Sequence, residues 1–129
     1  MNTTAKPAPV TLEQQRAQFA WDNATRAKVH LANGFGDFIN TAKAAPALIM
    51  NNGLMQTLAF YQDKGKPQHM ALAGHLRRWI MKREGGNGQA PGCQPMMDVL
   101  LRAQPDQYRR ATDEALRILR GIRQFAAAL

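Results

Sequence analysis

Between Pro46 and Lys64 the apolar residues keep to no single side. Stepped at about 100° per residue, Leu48, Ile49, Met50, Leu54, Met55, Leu58, Phe60 and Tyr61 surround a whole helical axis. A helix that is apolar all round is normally buried on most sides. The segment is therefore expected to be the central helix of a helical domain. Pro46 fits its first turn, where a missing N–H costs nothing. Elsewhere no stretch alternates strictly with a period of two, so no sheet is expected. The fold class predicted is all-α: a single-domain bundle of about five to six helices around that central apolar helix.

The flanking elements follow from local signals. Residues 1–10, with Pro7 and Pro9, read as a flexible tail, and the helical domain takes residues 11–129. Thr11 and Gln14 match a capping box. A helix is predicted from Leu12 to Leu31, free of proline and glycine and rich in Ala, Gln and Arg. Asn33 and Gly34 end it. A short second helix is predicted over Asp37–Ala44. Gly65 stops the central helix and Pro67 starts a fourth, reaching Glu84, with Leu72, Leu76, Trp79 and Ile80 on its apolar face. Residues 85–95, GGNGQAPGCQP, are a Gly/Pro-rich loop. A fifth helix is expected over Met96–Ala103, and a sixth from Pro105 or Asp106 to Ala127.

Composition narrows the class. With 129 residues, 45% of them apolar, the chain suits one compact core without disulfides or metals. The single cysteine, Cys93, fits a reducing compartment. The first ten residues lack the apolar stretch of a signal peptide, and no uncharged apolar run approaches the length of a membrane span. A cytoplasmic protein with no membrane partner is expected. Seventeen Lys and Arg oppose nine acids. Residues 1–63 carry five basic and four acidic side chains, whereas residues 64–129 carry twelve and five, so the excess sits in the second half. An anionic partner is expected there, nucleic acid first among them, because Lys and Arg neutralise phosphates and release counterions.

Catalysis has little to work with. His69 and His75 lie about 240° apart around a helix, and His30 is remote in sequence. Cys93 sits among glycine and proline with no activating motif, and reads as a loop thiol. The GGNG run follows a basic helix and precedes a proline, which is not the strand-to-helix context of a P-loop. The acids fall in no pairing suited to acid–base or two-metal work. The chain is expected to be no enzyme, with no metal and no cofactor.

Two features stand out as candidate surfaces. On the last helix Arg109, Arg110, Arg117, Arg120 and Arg123 share an arc of about 140°, opposite Tyr108, Ala111, Ala115, Ile118, Leu119, Ile122, Phe125 and Ala126. Asp113 lies within the stripe, four residues from Arg109 and Arg117, and is placed for local ion pairs. The stripe reads either as the solvated face of an amphipathic helix or as a surface for phosphates or an acidic partner. Arg78 and Lys82, flanked by Arg77, form a smaller basic patch. The second feature is Asn51-Asn52-Gly53, inside the central helix, where it costs roughly 2 kcal/mol of helix propensity against alanine. Structurally, Gly53 would admit a close neighbour while the Asn amides bond inside the fold. Functionally, the turn would be a subunit contact. The structural reading is the favoured one.

The block ALIMNNGLMQTLAF, Ala47–Phe60, resembles the signature of the small subunit of type III-B (Cmr-module) CRISPR effector complexes. Gln15–Trp21 resembles that family's N-terminal helix, and Tyr108–Thr112 with Glu114–Leu116 its C-terminal helix. The likeness covers about residues 12 to 126, and its central block is the specific one. The chain departs from the pattern at Gly121, near which the family commonly carries a tryptophan. The resemblance implies an all-helical, non-catalytic antiviral subunit that stacks along the effector backbone in several copies. It would lie beside the backbone subunit and the large polymerase-like subunit, along the groove that holds the guide RNA–target RNA duplex. Charge geometry, rather than the family motif, then nominates Arg78, Lys82, Arg109, Arg110, Arg117 and Arg120 as RNA- or subunit-contacting. The alternative is a free-standing basic helical nucleic-acid-binding protein or regulator, which would need a recognition helix after a short turn.

Overall fold

The structure, a computed structural model, describes residues 10–84, 86 and 91–129. Most of the expected tail, and residues 85 and 87–90 of the expected loop, lie outside the described residues. Six α-helices run in order: α1 (Leu12–Leu31), α2 (Phe35–Asn52), α3 (Leu54–Lys64), α4 (Pro67–Arg83), α5 (Cys93–Arg102) and α6 (Pro105–Ala128). One 3₁₀ turn, Ala32–Gly34, joins α1 to α2, and the described residues contain no strand. The all-α class holds.

The start of α1 is set as expected. Thr11 Oγ1 accepts from Gln14 N–H at 3.1 Å, and Gln14 Oε1 accepts from Thr11 N–H at 2.8 Å. The two bonds satisfy donors that a helix start otherwise leaves free. Further along, α1 turns Ala20, Ala24 and Ala27 inward, and it lies along α6. Small side chains let the two axes approach closely. At Gly121 an added Cβ would stand 2.9 Å from the Cβ of Ala20. Glycine at position 121 is thus required by the crossing of α1 and α6.

The expected central helix is two helices, and its boundary falls elsewhere. α2 begins at Phe35 and runs straight through Pro46 to Asn52, so the separate helix over Asp37–Ala44 and the new start at Pro46 are both corrected. Proline in a helix interior costs about 3 kcal/mol. Phe38, Ala42, Ala45 and Ile49 offset it: they recur at helical spacing, are buried, and face α4 and α6 as one stripe. Chain direction changes at Gly53 instead, whose φ of 89° and ψ of 161° suit glycine alone. The apolar ring around a single axis was therefore an artefact of projecting two axes onto one. Ile49, Leu54, Leu58 and Tyr61 are buried, whereas Met50 is 75% and Phe60 41% exposed.

Tyr108 of α6 completes the break. Its hydroxyl oxygen accepts from Met55 N–H at 3.2 Å, and so partners a donor in the first turn of α3, where Gly53 offers no side chain. Asn51 and Asn52 are exposed at the end of α2. The reading that their amides bond inside the fold is corrected, as is the close approach of a helix at Gly53: an added Cβ there meets only the Tyr108 hydroxyl, at 3.8 Å. Backbone conformation is what demands the glycine.

α4 is as predicted, with Leu72, Leu76, Trp79 and Ile80 buried. α5 starts at Cys93, three residues earlier than expected, so the end of the glycine-rich stretch is helical. Arg77 Nε donates to the Pro91 carbonyl at 2.9 Å and fastens that end of the loop to α4. α6 packs against α1, α2 and α4 through Ala115, Ile118, Leu119 and Ile122, all fully buried. Burying side chains of this size stabilises by roughly 1.5–3 kcal/mol each for the larger ones.

Candidate functional site

The interior fixes which face of α6 meets solvent. Trp79 is fully buried, and its indole N–H donates to Glu114 Oε1 at 2.9 Å. Arg16 of α1 grips the same carboxylate with two bonds, Nε to Oε1 at 3.0 Å and Nη2 to Oε2 at 2.6 Å. A forked guanidinium–carboxylate pair is strong and directional. The Arg16 hydrogen bonds, more than any other cause, hold the Glu114 carboxyl below its ordinary range. One carboxylate therefore joins α1, α4 and α6. With that side turned inward, α6 presents its arginines outward.

Arg109, Arg110, Arg117, Arg120 and Arg123 are all exposed. Arg110 pairs with Asp106 at 3.1 Å across one turn, a solvent-facing pair. Asp113 makes no ion pair among the described residues, so the local pairing expected for it is corrected: its carboxylate lies beyond 4 Å of the flanking guanidiniums. Arg110 and Arg117 also rim a cleft of about 300 Å³ with Arg16, Arg83, Glu84, Asp113 and Glu114. Arg109 and Arg120 lie on the ridge outside that cleft.

Arg78 and Lys82 belong to another surface. Arg78 is half-buried, donates from Nη1 to the Asn23 side-chain oxygen at 2.5 Å, and lies 5.8 Å from the centre of the Phe19 ring. Asn23 is buried and its amide donates to the Phe19 carbonyl at 2.7 Å. Lys82 is exposed, its Nζ 5.9 Å from the Trp79 ring. Together with Arg26 of α1 they line a depression over Phe19 and Asn23. The structure thus divides the six nominated residues between an α6 ridge and an α1–α4 groove. Arg16, Arg26, Arg83 and Trp21 join these surfaces. The sequence placed Arg16 and Trp21 in a family-like block without indicating their partners, which lie far along the chain.

The three histidines do not converge. His30 is exposed, His69 lies beside the Phe60 and Tyr61 rings, and His75 is buried against Phe38 at 5.6 Å between ring centres. Burial pushes His75 down to about 3, with the positive charges of Arg78 and Arg26 adding to it. Among the described residues no group of three or more His, Cys, Asp or Glu side chains is placed to hold a metal ion. No helix among them is long and apolar enough to cross a membrane.

Comparison with known proteins identifies the family. The family model for CRISPR-associated protein (Cas_Cmr5) matches residues 12–129. The chain is also 29% identical to the CRISPR system Cmr subunit Cmr5 of Thermus thermophilus over 119 residues, covering 92% of this chain and 96% of that protein. The matched span takes in every helix from the capped start of α1 to the end of α6. The chain belongs to the Cas_Cmr5 family of CRISPR-associated proteins.

Proposed function

We propose that the chain is the non-catalytic small subunit of a type III-B (Cmr-module) effector complex, acting in antiviral RNA targeting. In this reading copies of it stack along the complex beside the backbone subunit and the large polymerase-like subunit. The α6 ridge faces the guide RNA–target RNA duplex. The observation that carries the reading is the ridge itself: Arg109, Arg117, Arg120 and Arg123 stand exposed on one helix face, and none forms an ion pair among the described residues. A solvated row of guanidiniums binds a polyanion through its phosphates and is indifferent to sequence, as a duplex channel requires.

The exposed turn at Met50, Asn51 and Asn52 is assigned to a subunit contact. It is a polar tip with one large apolar side chain, set at a rigid angle by Gly53 and Tyr108. The test is co-purification. A tagged full-length chain, expressed with the other Cmr subunits and a guide RNA, is expected to bring down both. Recovery of the chain alone, with the remaining complex assembled without it, would overturn the proposal and leave the free-standing nucleic-acid binder.

A further inference from the structure

The chain holds two tryptophans, and only one is used by the core. Trp79 is fully buried, whereas Trp21 on α1 is 43% exposed and meets Phe125 of α6 at 5.4 Å with the rings at 89°. Trp21 lines a groove of about 580 Å³ together with apolar Val10, Ala17, Phe19 and Phe125, the amides of Gln14, Gln15 and Gln18, Asp22, and Lys82 of α4. Beyond Phe19, Asp22 and Lys82, which both depressions share, lies the one bearing Arg26 and Arg78, of about 450 Å³. A surface aromatic, amide side chains and cations of α1 and α4 therefore line two adjoining depressions between those helices.

We propose that this α1–α4 groove binds single-stranded RNA, stacking a base on Trp21 while the adjoining phosphates meet Lys82, Arg78 and Arg26. The inference rests on the RNA-proximal role proposed above and narrows it to an unpaired segment. Charge decides the occupant. Three cations face one acid, Asp22, whose carboxylate already accepts from Gln18 Nε2 at 2.8 Å. Arg78 is held in place by Asn23, so its charge needs no ordering on binding. An exposed aromatic next to placed cations is the pairing that sequence-tolerant single-strand binders use, because every base has a π-face. A duplex keeps its bases stacked internally and offers Trp21 only its two end pairs. An apolar peptide would find Val10, Phe19 and Phe125 beside Trp21 but would leave Lys82, Arg78 and Arg26 without an anionic partner.

The experiment uses the full chain and a short labelled oligouridylate at low salt, with a blunt RNA duplex of equal length for comparison. Oligouridylate is expected to quench indole emission, and the quench should vanish in Trp21→Phe, which keeps Trp79 and an aromatic ring against Phe125. Trp21→Ala should weaken oligouridylate binding about 5- to 150-fold. Arg26→Glu with Lys82→Glu should weaken it at least about tenfold and flatten its salt dependence. Circular dichroism of each variant checks folding, and Trp21→Phe keeps the test decisive if Trp21→Ala is unstable. Absent binding, an unquenched tryptophan, equal quenching by the duplex, or unaltered affinity in both the folded alanine variant and the charge-reversed pair would each overturn the groove. So would a Trp21→Ala chain that binds oligouridylate normally yet loses the protein subunits, since the groove would then be a protein interface. In those cases a wild-type chain that still co-purifies with the complex leaves the proposed function standing; one that does not enter the complex sinks that function separately.

Discussion

The α6 ridge and the α1–α4 groove carry positive charge in two different ways. On the ridge, Arg109, Arg117, Arg120 and Arg123 are long side chains in solvent, free to follow a phosphate wherever it lies. In the groove, Arg78 is half-buried, bonded to Asn23 and set against Phe19. Freely hydrated charge supplies attraction that salt screens and that tolerates misplacement. Held charge has less entropy to lose and asks its partner to come to it. The same residue types are thus freely hydrated on one face and, at Arg78, held in place on another. The difference lies in what their neighbours do.

The comparison can be broken most severely from underneath. Leu54 is fully buried where α3 begins, and both surfaces depend on the core it fills. Leu54→Asp should cost at least about 4 kcal/mol, enough to abolish cooperative unfolding and both surfaces together. A folded variant, judged by circular dichroism and denaturant titration, would show that the surfaces do not share that core.

Next in size, Arg109→Glu, Arg117→Glu and Arg120→Glu combined should lower affinity for an RNA duplex by about a hundredfold or more at moderate salt. The slope of log affinity against log salt should flatten by about 3 if each arginine meets one phosphate. Helicity should be unchanged, because all three side chains are exposed. An unaltered slope would remove the ridge from the binding surface.

Acid separates the two regions further. His75 lies buried beneath the groove side of α4 and is pushed down to about 3, while an unfolded histidine takes its proton near 6.5. Between those values the unfolded chain holds one more proton than the folded one. Its contribution is intact above pH 6.5 and is lost as pH falls toward about 3, by about 1.4 kcal/mol per unit. His75→Phe should flatten that part of the stability profile. An equal slope in the variant would assign the acid sensitivity elsewhere. Smallest of all, Arg110→Ala removes only the exposed pair with Asp106 and should change stability by less than about 0.5 kcal/mol. A loss above about 1 kcal/mol would mean that the ridge is not merely solvated.

The ridge was legible in the sequence because it follows one helix. A long amphipathic stretch announces its two faces by period, and Pro105 announces its start. The capped start at Thr11 and the inward face of α4 were legible for the same local reason. The groove was hidden because α1, α4 and α6 assemble it: Trp21 finds Phe125, and Arg78 finds Asn23, only in three dimensions. The Arg16–Glu114 fork spans 98 positions and left no mark on local pattern. The error at Pro46 and Gly53 has one source. Propensity treats proline as the stop and a glycine between apolar neighbours as tolerable, whereas burial of Phe38, Ala42, Ala45 and Ile49 carried the helix past the proline. The positive φ at Gly53 then redirected the chain.

Gly121 has a mechanical consequence. Where it crosses Ala20, the rods α1 and α6 touch almost backbone to backbone, with no intervening side chain to flex. One rod bears Trp21 and Arg26, the other the outward guanidiniums. That crossing leaves no slack between the two helices. In the proposed complex, a load placed on either face would therefore be carried to the other through this crossing.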